Sequence, residues 1–151
     1  MDHPEPGGLR RTGTIVTQDE LWMQKALNLA LQGWGRTSPN PLVGAVIVNA
    51  DGEVSTGFHQ CAGGPHAEIH AINSAGSAAS DATLYVTLEP CSTYGRTPPC
   101  TEAIVRAGLR RVVVGSKDPN PNHCGHGPAW LREQSIEVET GVRAGACASI
   151  K

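Results

Sequence analysis

Two short runs of β-branched and aliphatic residues constrain the fold of this chain most. Thr83–Leu88 (TLYVTL) and Arg111–Ser116 (RVVVGS) are apolar, and residues 101–107 between them carry a helical pattern. Short apolar runs of this kind predict buried strands. A connection that holds one helix usually joins strands within one sheet, and we therefore expect a strand–helix–strand unit.

The rest of the chain extends this unit. Thr17 and Glu20 form a capping-box pattern, which predicts a helix that ends near Gly33. Asp51-Gly52 predicts a hairpin turn between strands at residues 43–48 and 53–59. Helices at 66–75 and 129–134 and a last strand at 136–139 complete the order α-β-β-α-β-α-β-α-β. This order predicts an α/β fold: a five-stranded mixed sheet with helices on both faces. We expect a disordered tail at 1–14, one domain at 15–143 and a C-terminal tail at 144–151.

Composition excludes several classes of protein. Twelve basic and 14 acidic residues give a formal charge of -2, which argues against a nucleic-acid-binding surface. No apolar run approaches the roughly 20 residues of a membrane span, and the first residues lack the apolar core of a secretory signal. Five irregularly spaced cysteines favour a reduced, cytoplasmic protein with thiols kept for metal or chemistry.

Three residues that suit a zinc ion stand at the predicted starts of helices. His66 opens one helix, and Cys91 and Cys100 lie between a strand and the next helix. One imidazole and two thiolates form a set that suits tetrahedral Zn²⁺, with a fourth position left for water. Helix N-termini favour thiolates over thiols, which supports this arrangement.

Glu68 indicates what such a site does. It follows His66 by two residues, so a carboxylate at this position can take a proton from water activated by zinc and deliver it to a substrate. His-x-Glu together with Pro-Cys-x-x-Cys is the signature of zinc deaminases, in which the glutamate is not a metal ligand. In this sequence eight residues separate Cys91 from Cys100 instead of two.

This spacing and three further segments resemble the deaminase domain of bacterial riboflavin biosynthesis. The segments are GRTSPNPLVGAVIV (35–48), GGPHAEIHAI (63–72), TLYVTLEPCSTYGRTPPC (83–100) and DPNP (118–121). The resemblance runs from about Leu21 to Val142. It implies a three-layer α/β/α cytidine deaminase-like fold, a Zn²⁺ cofactor, and hydrolytic removal of a ring amine from a diaminopyrimidinone that carries a phosphoribosylamino group.

The resemblance also implies substrate contacts from Asn40, His59, Asp118 and Asn120, and a contact from Arg96 to the phosphoribosyl end. Two positions depart from the family pattern. Thr93 stands where the family has a substrate-binding histidine, and His126 replaces a basic residue. Both stay among the predicted substrate contacts, and both changes reduce cationic character near the phosphate end.

Other interpretations of the metal-binding residues remain open. Cys124 or His123 could add a fourth ligand and make the zinc purely structural, although this leaves Glu68 without a role. His66 and His70 are spaced like the histidines of a zincin, but Ala67 stands where that motif needs glutamate. The short run from His123 to His126 could hold a second metal or contact the substrate.

Three other functions remain open as well. The same chemistry could serve a related or dephosphorylated pyrimidine, which Thr93 and His126 motivate. A nucleic-acid base deaminase is disfavoured by the charge and by the eight-residue spacing. A non-enzymatic, zinc-stabilised partner of a separate reductase is disfavoured by Glu68. We expect a small pyrimidine substrate, no nucleic acid and no membrane, and relatives of this fold suggest a homo-oligomer.

Overall fold

The computed structural model describes residues 9–11, 14–37, 42–61, 64–91, 99–119 and 124–150. Seven strands and five helices lie within these ranges. The strands are β1 (Leu9–Arg11), β2 (Thr14–Val16), β3 (Gly44–Val48), β4 (Val54–Phe58), β5 (Thr83–Leu88), β6 (Arg111–Ser116) and β7 (Glu137–Thr140). The helices are α1 (Gln18–Ala30), α2 (Ala67–Ala75), α3 (Cys100–Arg106), α4 (His126–Glu133) and α5 (Ala144–Ser149).

Five strands form the predicted mixed sheet, in the order β4-β3-β5-β6-β7. β3 runs antiparallel to both β4 and β5, whereas β5, β6 and β7 are parallel. The central strands β5 and β6 have the bounds that their β-branched runs predict. The predicted α/β class and five-stranded sheet are therefore confirmed.

Helices cover both faces of this sheet, which confirms the three-layer arrangement. One face packs against α2, α3 and α4 through a core that includes Ala71, Ile104 and Leu131. The other face packs against α1 and α5 through residues that include Met23 and Cys147. Alternate residues of the strands supply the two cores, as the two-residue period of a strand requires.

The start of α1 is held by the capping box that the sequence predicts. The Thr17 hydroxyl accepts from the Glu20 backbone N–H at 3.1 Å, and the Glu20 carboxylate accepts from the Thr17 N–H at 2.9 Å. A short 3₁₀ turn then extends the helix to Gly33, where the sequence predicts its end.

A polar network that the sequence does not reveal fastens α1 to the sheet. The Asp19 carboxylate accepts two hydrogen bonds from the Arg111 guanidinium, at 3.0 and 2.8 Å, and one from the Tyr85 hydroxyl at 2.8 Å. Arg111 also donates to Glu137 at 3.1 Å. The network therefore joins α1, β5, β6 and β7 at one end of the sheet.

Close backbone contact also fixes α1 on the sheet. Gly44 begins β3, and a β-carbon at this position would collide with the Ala26 carbonyl oxygen of α1. Only glycine lets the helix and the strand approach so closely.

Short elements lie in both segments that the sequence predicts as tails, whose bounds stay a prediction. β1, within the predicted tail 1–14, pairs antiparallel with β2, which begins at its last residue. Within the predicted C-terminal tail 144–151, α5 packs against the sheet and buries Cys147 beside Gly115. This helix consists of small residues with no clear apolar period, which is why the pattern missed it. Within the described ranges, no helix has the length and apolar character needed to cross a membrane.

Candidate active site

The predicted metal-binding side chains come from three separate elements at one end of the sheet. His66 is the N-cap of α2, Cys91 follows the carboxyl end of β5, and Cys100 is the first residue of α3. Loops at the carboxyl ends of strands are the usual location of chemistry in α/β folds. The sheet thus brings together residues that are up to 34 positions apart in the chain.

The three side chains form a cluster of the size that one zinc ion needs. One ligand atom of each residue lies within 4.8 Å of the others. His66 Nδ1 is 3.1 Å from Cys100 Sγ and 3.8 Å from Cys91 Sγ. Tetrahedral zinc, with bonds of about 2.0–2.1 Å to nitrogen and about 2.3 Å to sulfur, separates such ligands by about 3.6 Å. The donor set and its spacing therefore fit zinc.

The local hydrogen bonds prepare one of the two thiols as a thiolate. Hydrogen bonds from the Cys100 thiol and from His66 lower the pKa of Cys91 well below its usual range, and the Cys100 backbone N–H also donates to Cys91 Sγ at 3.2 Å. The pKa of Cys100 is raised, because its proton is held by Cys91 and because the side chain is buried. The hydrogen bond with Cys91 likewise raises the pKa of His66. A thiolate is the form in which cysteine binds metal.

Glu68 lies in the first turn of α2, two residues after His66. Its side chain is buried, with 3% of its surface exposed. Burial raises the pKa of its carboxyl to about 7, against the smaller opposing effects of its own backbone N–H and of His66. A carboxyl with a pKa near neutrality can both hold and release a proton at pH 7.

His59 lies beside the cluster, immediately after β4. Its ring is buried and meets the His66 ring edge to face, with the ring centres 5.6 Å apart. Its Nδ1 lies 3.0 Å from the Pro65 carbonyl oxygen, so this nitrogen carries a proton and donates. The substrate contact of His59 stays a prediction, at a position adjoining His66, a predicted metal ligand.

The other predicted substrate contacts are only partly described. Asp118 is half-buried just after β6, and His126 is exposed as the first residue of α4. Four predicted contacts lie outside the described residues: Asn40, Thr93, Arg96 and Asn120. The roles of all these residues stay predictions.

The alternative metal sites receive no support from the described residues. Cys124 is not part of the His66, Cys91 and Cys100 cluster, and His123 lies outside the described residues. His70 is also absent from that cluster. Among the residues that the structure describes, the cluster of three is the group suited to a metal.

Sequence reasoning did not single out Glu89, which immediately precedes Pro90 and Cys91. Its side chain is buried, with 7% of its surface exposed, and Oε1 accepts a hydrogen bond from the Gly125 backbone N–H at 2.8 Å. A carboxylate at the end of an apolar strand, directly before a predicted metal ligand, was the available signal. Its partner is 36 residues away and could not be inferred from local pattern.

Comparisons with known proteins agree with this site. The family described as "Cytidine and deoxycytidylate deaminase zinc-binding region" matches residues 16–116. The diaminohydroxyphosphoribosylamino-pyrimidine deaminase of Buchnera aphidicola subsp. Schizaphis graminum is 45% identical over 125 residues, which cover 83% of this chain and 85% of that protein.

Longer relatives match equally well over part of their length. The riboflavin biosynthesis protein RibD of Synechocystis sp. is 55% identical over 132 residues, covering 87% of this chain and 36% of that protein. A structure of Acinetobacter baumannii RibD (form 2) superposes with a TM-score of 0.86 at 50% identity, covering 89% of this chain and 38% of that one. This chain thus spans about a third of the length of such relatives.

Proposed function

This chain belongs to the zinc-binding deaminase family that includes diaminohydroxyphosphoribosylamino-pyrimidine deaminase, and from that premise we propose that it is a zinc-dependent aminohydrolase. The proposed reaction removes a ring amine as ammonia from a diaminopyrimidinone that carries a phosphoribosylamino group. It would serve riboflavin biosynthesis, since the relatives that match over most of this chain are named for that pathway.

The observation that carries this proposal is the buried carboxyl of Glu68 beside the cluster of His66, Cys91 and Cys100. A purely structural zinc site uses four protein ligands, whereas the described cluster offers three. Glu68 is not a member of that cluster, although it lies two residues from His66. A buried carboxyl next to an incomplete ligand set is what an acid/base residue requires.

The chemistry follows from these residues. Zinc held by His66, Cys91 and Cys100 would lower the pKa of water from about 15.7 toward 7 and so supply a nucleophile at neutral pH. The Glu68 carboxylate accepts the proton released by the water and passes it to the ring nitrogen of the substrate. The water oxygen forms a bond to the amine-bearing ring carbon in this step. The Glu68 carboxylate then takes the proton of the resulting hydroxyl group and gives it to the amine, so that the C–N bond breaks, ammonia leaves and the ring carbon becomes a carbonyl.

The substrate would lie between the predicted contacts around this centre. His59 and Asp118 flank the carboxyl end of the sheet, and His126 lies at the start of α4. The proposal assigns substrate contacts to Asn40, His59, Thr93, Arg96, Asp118, Asn120 and His126. Arg96 supplies the fixed positive charge that a phosphate needs.

A second candidate is the same reaction on a dephosphorylated or otherwise related pyrimidine. Thr93 and His126 favour this candidate. Thr93 lacks the imidazole ring that the family has at its position, and His126 stands where the family has a basic residue. His126 is exposed at the start of α4, so the site lacks at this position the lysine or arginine side chain that would bind a phosphate more strongly.

The cellular setting is also a proposal. A cytoplasmic location suits five cysteines that all stand as free thiols, because zinc binding needs them reduced. We keep the homo-oligomer as a prediction, which light scattering of the zinc-loaded chain would test.

The proposal is tested by measuring ammonia release together with zinc content. We expect Glu68→Ala to retain zinc and to lose turnover by roughly 100- to 10,000-fold, the usual contribution of an acid/base group. The exposed residue Glu133 on α4 offers a control, since Glu133→Gln removes one carboxylate far from any proposed role. Substantial activity in Glu68→Ala would contradict the proposed role of this carboxyl.

A further inference from the structure

Glu89 lies where the metal-binding segment meets the segment that carries predicted substrate contacts. It immediately precedes Pro90 and Cys91 at the end of β5, and its own backbone N–H donates to the Ser116 carbonyl oxygen at 3.0 Å. Its buried carboxylate accepts from the Gly125 N–H at 2.8 Å, directly before His126. One side chain therefore links the zinc side of the site to the start of α4.

Among the described residues, the Glu89 carboxylate is the side chain that bonds the N-terminal end of α4. Gly125 is the N-cap of α4 and has a φ of 82°, a backbone conformation that favours glycine. No side chain caps this helix end within the helix itself. The first N–H groups of a helix have no partners within the helix, so the Glu89 carboxylate takes over the role of a cap.

A second contact holds the same turn of α4 against the same segment. Gly127 is buried, and a β-carbon there would collide with the Pro90 carbonyl oxygen and would lie 3.6 Å from Thr101 Cγ2. The first turn of α4 therefore packs directly on the peptide that leads to Cys91.

The Glu89 segment is itself held firmly in the sheet. The Ser116 hydroxyl donates to the Thr87 carbonyl oxygen at 3.2 Å, and the Thr87 hydroxyl accepts from the Gly44 N–H at 3.2 Å. Both side chains are buried. These bonds tie the ends of β5 and β6 to the start of β3, so Glu89 offers α4 a rigid support.

We propose that Glu89 is a positioning residue, whose carboxylate holds Gly125 and the first turn of α4 so that His126 is placed to contact the substrate. The proposal rests on the proposed function, because that function assigns His126 to substrate binding. Of the predicted zinc ligands, His66 and Cys100 stand at the starts of α2 and α3, and Cys91 Sγ accepts a hydrogen bond from the Cys100 backbone N–H, a contact that does not involve the Glu89 carboxylate. Loss of the Glu89 acceptor should therefore change substrate binding far more than the chemical step.

The size of the effect follows from the population of the binding conformation. When only a fraction of the molecules is competent to bind, the apparent dissociation constant rises by the reciprocal of that fraction. A hydrogen bond to a charged group that is lost without replacement shifts such an equilibrium roughly 10-fold or more. The rise in KM reaches about this factor when the loss makes the binding conformation the minor one. We therefore expect KM to rise by up to roughly 10-fold, with kcat changed less than about twofold.

The test compares three variants of the full zinc-loaded chain. Glu89→Met fills a similar volume and removes the acceptor, whereas Glu89→Gln retains an acceptor oxygen. Glu133→Gln removes an exposed carboxylate from the other end of α4. We expect the raised KM in Glu89→Met alone, with zinc content unchanged in all three. A KM in Glu89→Met equal to that of the unaltered chain, or a loss of kcat together with zinc, would overturn the proposal.

Hydrogen exchange gives a readout that does not depend on activity. Amide exchange in the peptide spanning 124–127 should be at least about fivefold faster in Glu89→Met than in Glu89→Gln. Equal rates would overturn the positioning role even if the enzyme is active. Absence of turnover by the unaltered chain and by Glu133→Gln would instead refute the proposed function and leave the exchange comparison valid.

A further variant covers the case in which Glu89→Met does not fold. Gly127→Ala leaves Glu89 unchanged but forces the first turn of α4 away from the Pro90 carbonyl. It should raise KM and speed exchange at 124–127 in the same way. Unchanged KM and exchange in Gly127→Ala would contradict the link between this turn and substrate binding.

Discussion

Replacing Glu68 by glutamine should make the zinc-free protein more stable while it abolishes most of the activity. The buried carboxyl has its pKa raised to about 7 from an ordinary value of 4.5, so the folded state disfavours the ionised form. At about 1.4 kcal/mol per pKa unit, this difference corresponds to about 3 kcal/mol. Glutamine has nearly the same shape and carries no charge, so it removes this cost.

The pH dependence follows from the direction of the shift. Because the pKa of Glu68 is higher in the folded state, its carboxyl does not destabilise the fold below about pH 4.5. The destabilisation grows as the pH rises and is complete once the pH exceeds about 7. The advantage of Glu68→Gln should therefore grow as the pH rises from about 4.5 to 8. For a chain of this length, about 3 kcal/mol corresponds to a rise in Tm of about 6–12 °C.

Thermal unfolding of chelator-treated and zinc-loaded protein at pH 5 and pH 8 measures this effect. Bound zinc favours the carboxylate through its positive charge, so the gain should be smaller in the loaded protein. The control Glu133→Gln, at an exposed site, should stay within about 0.5 kcal/mol of the unaltered chain. An unchanged or lowered Tm for zinc-free Glu68→Gln at pH 8 would refute the claim that this carboxyl is held at a cost in stability.

Three further predictions concern the scaffold and the metal. Asp19→Asn should lower the free energy of unfolding by about 1–2 kcal/mol at pH 7, because it weakens the paired hydrogen bonds from Arg111. The hydrogen bonds from Arg111 lower the pKa of Asp19, so the stabilisation by the Asp19 carboxylate is present above about pH 4 and is lost as the pH falls through its folded pKa. Equal urea midpoints for Asp19→Asn and the unaltered chain at pH 7 would contradict this prediction. Gly44→Ala should cost about 2–3 kcal/mol in urea unfolding, because the new methyl group collides with the backbone of α1; a loss below about 0.5 kcal/mol would argue against that close packing. Cys100→Ala should abolish stoichiometric zinc binding measured by elemental analysis, whereas Cys124→Ala should retain it, and the reverse result would contradict the assigned ligand cluster.

Much of the fold follows from local pattern. The β-branched runs of β5 and β6 and the capping box at Thr17 define these elements because the signals are local and strong. Helix α5 escaped prediction because its small residues gain their helical conformation from packing, with Cys147 placed against Gly115 of β6. The hairpin of β1 and β2 lies in a segment whose composition indicates disorder.

The candidate site likewise has residues that the sequence predicts and a contact that it does not. His66, Glu68, Cys91 and Cys100 carry a chemical signature that is visible along the chain, and the structure brings the three predicted metal ligands together. The hydrogen bond from the Gly125 N–H to the Glu89 carboxylate depends on the position at which α4 packs against the sheet. A contact of that kind has no local pattern, so it becomes visible only in three dimensions.

The central claim is tested most directly by ammonia release from the zinc-loaded chain. The diaminopyrimidinone with its phosphoribosylamino group and the dephosphorylated form would be supplied side by side at equal concentrations. The proposed function predicts rapid release with a clear preference for the phosphorylated substrate, for which Arg96 suffices despite Thr93 and His126. Preference for the dephosphorylated form would support the second candidate, and no release from either would contradict the account.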